Sequence, residues 1–79
     1  MNKIIISAIQ LHYIIQAEVD AIELLLQDNA KVRIGLPYLC EVDANGVNWN
    51  INNIGNKSGY EDIVVKVIAR HKQTYNLQD

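Results

Sequence analysis

Asn45-Gly46, set between two segments of alternating polarity, is the feature that most limits what this chain can fold into. The dipeptide suits a two-residue type I′ turn, in which both central residues need positive φ. Folding about it pairs Ala44 with Val47, Val42 with Trp49 and Cys40 with Ile51 on one side, and leaves Glu41, Asp43, Asn48, Asn50 and Asn52 on the other. A slip of one residue would bury the asparagines instead, so the alternation predicts a β-hairpin over residues 38–53 with Trp49 inside.

The flanking segments add elements to that hairpin. Residues 3–17 are dense in isoleucine, and β-branched side chains favour a strand, although the periodicity leaves a helix open for part of the stretch. In a regular strand Ile5, Ile9, Leu11, Tyr13 and Ile15 face inward, and Ile4 and Ile6 have the opposite parity. Val19-Asp20-Ala21-Ile22-Glu23 reads as a helix start: Asp20 caps, Glu23 reaches back and Val19 packs on Leu24. That helix is predicted to end at 27 or 28 and to bury Ile22, Leu25 and Leu26. Residues 31–36 alternate, with Val32, Ile34 and Leu36 inward and Lys31 and Arg33 outward. Antiparallel pairing across Pro37 then sets Ile34 opposite Cys40, Val32 opposite Val42, Arg33 opposite Glu41 and Lys31 opposite Asp43.

Ser58-Gly59-Tyr60-Glu61 has the spacing of a capping box. The helix it opens is predicted to run to about residue 75, with Tyr60, Ile63, Val64, Val67, Ile68, His71 and Tyr75 along one stripe. Glu61 and Asp62 lie in its first turn and Lys66, Arg70 and Lys72 further on, an order that complements the helix dipole. Residues 76–79 read as a short frayed tail. The expected architecture is a single α+β domain over residues 1–79, a two-layer sandwich in β-α-β-β-β-α order. Its sheet is four-stranded and mostly antiparallel, with two helices on one face and the strand order open.

Composition narrows the function classes. A hydrophobic fraction of 49% with 20% charged residues favours a folded domain over a disordered chain. A net charge of −2 without a run of like charge argues against a partner bound mainly through phosphates. The helix, three strands, helix order resembles the double-stranded RNA-binding domain in topology, a resemblance that implies RNA contact by lysines at the start of the second helix. Here those positions hold Tyr60, Glu61 and Asp62. A nucleic-acid role would instead rest on Lys57, Lys66, Arg70 and Lys72. Cys40 is the single cysteine, so an internal disulfide is excluded, and a thiol on the inner face suits a reducing, cytoplasmic setting. The early isoleucine run is broken at Ser7, Gln10 and His12 without a small-residue cleavage site, unlike a secretory leader, and no stretch has the ~18 apolar residues of a membrane span.

Chemistry finds few footholds. His12, His71 and Cys40 have no metal-ligand spacing. Cys40 is expected beside Trp49 and Ile34, where a thiol is inert. Ser7, Ser58 and Thr74 have no neighbouring base, and the four glycines are scattered among turns rather than gathered in a phosphate loop. The expectation is a protein that is not an enzyme and has no cofactor or metal. What is left is surface. Lys31, Arg33, Glu41, Asp43, Asn48, Asn50 and Asn52 should line the outer sheet face, either solvated or docked on a protein partner, with Asn53 and Asn56 extending it. Ile4 and Ile6 are candidates for a homodimer contact. The leading expectation is a small interaction protein that inhibits or regulates a larger protein. In general format it is similar to phage or mobile-element inhibitors, including anti-CRISPR proteins, and to toxin-immunity proteins. The alternatives are a nucleic-acid-binding domain, or a subunit of a homo-oligomer whose pocket forms between chains.

Overall fold

A computed structural model describes residues 3–78. The elements run β1 (Ile4–Ile6), α1 (Ala8–Asp20), α2 (Glu23–Gln27), β2 (Arg33–Ile34), β3 (Tyr38–Leu39), β4 (Trp49–Asn50), β5 (Ile54–Gly55), α3 (Glu61–Thr74) and β6 (Tyr75–Leu77). The chain is α+β as expected, with three helices and strands in two-stranded pieces rather than one four-stranded sheet.

The largest departure lies in residues 3–17, where the predicted strand stops at Ile6 and a helix takes over. Ser7 caps it: the Ser7 hydroxyl accepts from the Gln10 backbone N–H at 3.1 Å, and the Gln10 side chain accepts from the Ser7 N–H at 3.1 Å. This S-x-x-Q box satisfies two free N–H groups at once. It places Leu11, Ile15 and Val19 four residues apart on one face, all fully buried. Helix propensity separates isoleucine from alanine by only a few tenths of a kcal/mol, whereas burying each such side chain is worth about 1.5–3 kcal/mol, so the core decides. Because α1 runs through Asp20, Asp20 is not a cap. The next helix starts at Glu23 with no side-chain cap and buries Leu25, while Ile22 is half-buried and Leu26 is exposed.

The hairpin exists in a different register. Gly46 has φ of 80°, but Asn45 is not in the left-handed region, so the turn is not type I′. Instead the Gly46 N–H donates to the Asp43 carbonyl and the Asp43 N–H to the Val47 carbonyl, each at 3.0 Å. This is a three-residue connection with glycine in the left-handed position. The Cys40 N–H then donates to the Asn48 carbonyl at 2.8 Å, so Glu41 and Val42 have no partners across the strand and bulge. From there the pairing is regular. Leu39 faces Trp49, Tyr38 faces Asn50, Ile34 faces Ile54 and Arg33 faces Gly55.

The two short ladders therefore share one register, and residues 33–40 form a single arm against residues 48–55. Pro37, which has no N–H, interrupts the arm rather than turning it. The predicted pairing of residues 31–36 with the following strand is thus replaced by pairing with β5, and Arg33 does not meet Glu41 nor Lys31 meet Asp43. Gly35 fits at the interruption because its N–H donates to the Asn53 carbonyl at 2.6 Å, and a Cβ there would lie 2.6 Å from that oxygen. The inward face also changes at Pro37, from Ile34 and Ile54 on one side of the break to Trp49 and Ile51 on the other.

Helix α3 matches its predicted stripe. Val64, Val67 and Ile68 are buried, and Tyr60, Ile63, His71 and Tyr75 are half-buried. Its cap differs: Tyr60 occupies the N-cap position and Glu61 accepts from the Gly59 N–H at 2.8 Å, leaving Ser58 without a capping bond. The predicted frayed tail is ordered in part as β6, which pairs parallel with β1 and sets Ile4 beside Tyr75, Ile5 beside Asn76 and Ile6 beside Leu77. Asp79 lies outside the described residues. The core is formed by α1, α3, both hairpin arms, Leu25, Val32 and Leu77.

Candidate functional site on the outward side of the hairpin

The hairpin meets β6 through side chains rather than a ladder. The Asn48 side chain accepts from the Leu77 N–H at 2.9 Å and donates to the Leu77 carbonyl at 3.0 Å. In return the Asn76 side chain accepts from the Asn48 N–H at 3.2 Å and donates to the Gly46 carbonyl at 2.9 Å. The buried Trp49 ring adds a bond from Nε1 to the Tyr75 carbonyl at 2.9 Å. Asn48 is therefore half-buried and spent on the fold, and it leaves the predicted contact face. Gln16 holds the other end similarly, donating to the Val32 carbonyl at 2.9 Å and accepting from the Ile34 N–H at 2.8 Å.

The remaining predicted surface residues, Lys31, Arg33, Glu41, Asp43, Asn50 and Asn52, are all exposed. They form a sequence along the hairpin rather than a flat array: basic at its base, amide in its middle, acidic near its tip. Asn52 accepts from the Tyr38 hydroxyl at 3.1 Å, and Asn50 accepts from Lys72 Nζ at 3.1 Å. Asp43 fastens the turn, its Oδ1 accepting from the Val47 N–H at 3.0 Å and the Asn45 N–H at 2.8 Å. Those two backbone bonds hold its carboxyl below the ordinary value.

Sequence reasoning placed Leu36 and Val42 inward and the structure exposes both, together with Tyr38 beside Asn50 and Leu39 on the Trp49 side of the hairpin. Leu36 is 57% exposed, Tyr38 40%, Leu39 47% and Val42 65%. Cys40, expected in the core, is exposed as well. The available signal was Pro37, since proline within a strand marks an edge.

A second polar cluster joins α1 to α3. Glu18 accepts from His71 Nε2 at 2.8 Å and from the Arg70 guanidinium, and the His71 ring stacks on Tyr75. Partial burial alone would raise the Glu18 carboxyl, but the bonds from His71 and Arg70 outweigh it and hold the group below its ordinary value. Of the four cations considered for nucleic acid, Arg70 is thus paired with Glu18. Lys72 is bonded to Asn50 and lies 5.7 Å from the centre of the Trp49 ring. Lys57 and Lys66 are exposed.

A groove of about 570 Å³ runs between α1 and residues 25–34, with His12, Gln16, Asp20, Lys31 and Arg33 among its walls. Gln16 and Asp20 are bonded to each other there at 2.9 Å. Among the described residues no three His, Cys, Asp or Glu side chains converge as metal ligands, and every buried side-chain nitrogen and oxygen has a hydrogen-bond partner. No helix among them is long and apolar enough to cross a membrane. In comparisons with known proteins, no family model matches the sequence, and no curated protein or solved structure matches it.

Proposed function

We propose that this chain is a non-catalytic binding protein that inhibits or regulates a larger protein by covering part of its surface. The outward side of the 33–55 hairpin is its contact face. The observation that supports this reading is the exposure of Leu36, Tyr38 and Val42 along the chain between the basic pair Lys31 and Arg33 and the acidic pair Glu41 and Asp43, with Tyr38 set beside Asn50 on the face turned away from Trp49. An apolar centre containing tyrosine, with charge at its rim, has the composition of protein interfaces. The hairpin is anchored by Trp49, Asn48 and Gln16, so presenting these side chains requires little ordering on binding. Small inhibitors of phage or mobile-element type, anti-CRISPR proteins among them, have this general format.

The test uses the tagged protein as bait in extracts of its native host treated with nuclease, beside a Leu36→Glu/Tyr38→Glu double variant. The expected result is a specific protein captured by the original chain and at least about tenfold less by the variant, with the circular dichroism of the two baits alike. Capture that the double variant leaves intact, or that nuclease abolishes, would overturn the proposal.

A further inference from the structure

A parallel pair of strands with nothing beyond it is an unusual arrangement, since parallel strands normally lie inside larger sheets. In the β1–β6 ribbon the outer edge of β6 is closed, because Asn48 bonds both Leu77 backbone groups and Trp49 bonds the Tyr75 carbonyl. The outer edge of β1 is different. The Ile6 carbonyl accepts from the Gln78 N–H at 2.9 Å, so strand alternation turns the Ile5 N–H and C=O away from β6. Among the described residues nothing hydrogen-bonds them. Ile5 is 57% exposed and Ile4 55%, on opposite faces of the strand, whereas Ile6 is half-buried and packs against the core. Within Ile4–Ile6 the edge has no proline, charge or bulge to discourage pairing, and the flanking Lys3 ammonium is turned to the Gln73 carbonyl at 3.2 Å.

We infer that β1 pairs antiparallel with β1 of a second copy of this chain about a two-fold axis at Ile5. A strand of three isoleucines is its own complement in that register. Ile5 faces the partner's Ile5, each N–H donating to the other's carbonyl, and Ile4 faces the partner's Ile6, so two ribbons become one four-stranded sheet. Lys3 falls opposite the partner's Ser7, so no like charges meet. The occupant is a copy because this register sets isoleucine against isoleucine at every position of β1 and Lys3 against an uncharged serine. The new ladder is short, since the Ser7 backbone is already engaged: its N–H by Gln10 and its carbonyl by the Leu11 N–H. With so few residues a side against the ~20–30 of a standard interface, the dimer should form between about 10 μM and 1 mM. This inference does not rest on the hairpin as a contact face.

Sedimentation velocity from about 10 μM to 1 mM tests it. The expected result is a monomer converting to a dimer across that range, with Ile5→Lys weakening association at least about tenfold by placing two like charges on the axis. Ile5→Pro should do the same, because the N–H it removes is not used within the chain. Hydrogen exchange supplies the readout that needs no variant: the Ile5 amide should become more protected as concentration rises. A strict monomer throughout the range, self-association that neither substitution alters, or Ile5 exchange independent of concentration would each overturn the inference.

Discussion

Asn48 and Gln16 each lay one side-chain amide along a strand edge, where a neighbouring strand would otherwise supply a carbonyl and an N–H. The arrangement is exacting, because a buried backbone group left without a partner forfeits its solvation. Asn48→Ala should therefore lower stability by about 1–3 kcal/mol. In urea denaturation it should shift the midpoint with little change in slope, while Asn53→Ala, at an exposed site, should stay within about 0.5 kcal/mol of the original protein. A shift no larger than that of Asn53→Ala would show that the clasp adds nothing. In the sequence these two amides look like any others. Asn48 reads as solvent-facing by alternation, and its role follows only from the approach of residues 75–77, nearly thirty positions away. Trp49, by contrast, was legible as an inward residue, because a tryptophan between two asparagines at period two has one side on which to bury.

Among the elements, α3 was the most readable. Its acids come first, its stripe repeats at helical spacing, and its one departure is at the cap. Helix α1 was hidden by β-branched residues, although Ser7 and Gln10 stand at capping-box spacing and Leu11, Ile15 and Val19 at helical spacing. The hairpin was legible as a hairpin but not in register: a three-residue turn and the bulge at Glu41 and Val42 move the first arm past the second, sending Cys40 and Val42 to the surface. The Glu18–His71–Arg70 cluster, which couples the two long helices, predicts a pH dependence. Since the folded-state pKa of Glu18 is depressed, its contribution is complete above the unfolded carboxyl value of about 4.3 and is lost as pH falls through the lower folded value. Glu18→Gln should therefore be less stable than the original protein at pH 6, and the gap should close on acidification below about pH 4. A gap that is constant from pH 6 to 3 in chemical denaturation would exclude this linkage.

At the scale of the molecule, the core draws its residues from segments spread between Leu11 and Leu77, as a short chain must if it is to gather enough buried apolar surface. The α+β class was readable from the alternation and the helix signals. The sheet was not, because its pieces are set by Pro37, by two amide clasps and by a meeting of the two ends that no local pattern encodes. That meeting bears on the route to the native state. Joining Ile4–Ile6 to Tyr75–Leu77 closes a loop around almost the entire chain, and the entropy of such a closure is lost before its contacts are gained. The ribbon should thus zip after α1 and α3 have docked. Leu77→Ala is expected to act almost wholly by speeding unfolding, with a φ-value of about 0–0.3, and Val64→Ala to slow refolding more, with a φ-value of about 0.5 or above. Stopped-flow chevrons of the two variants would reveal the order, and equal φ-values would mean that the ends find each other early.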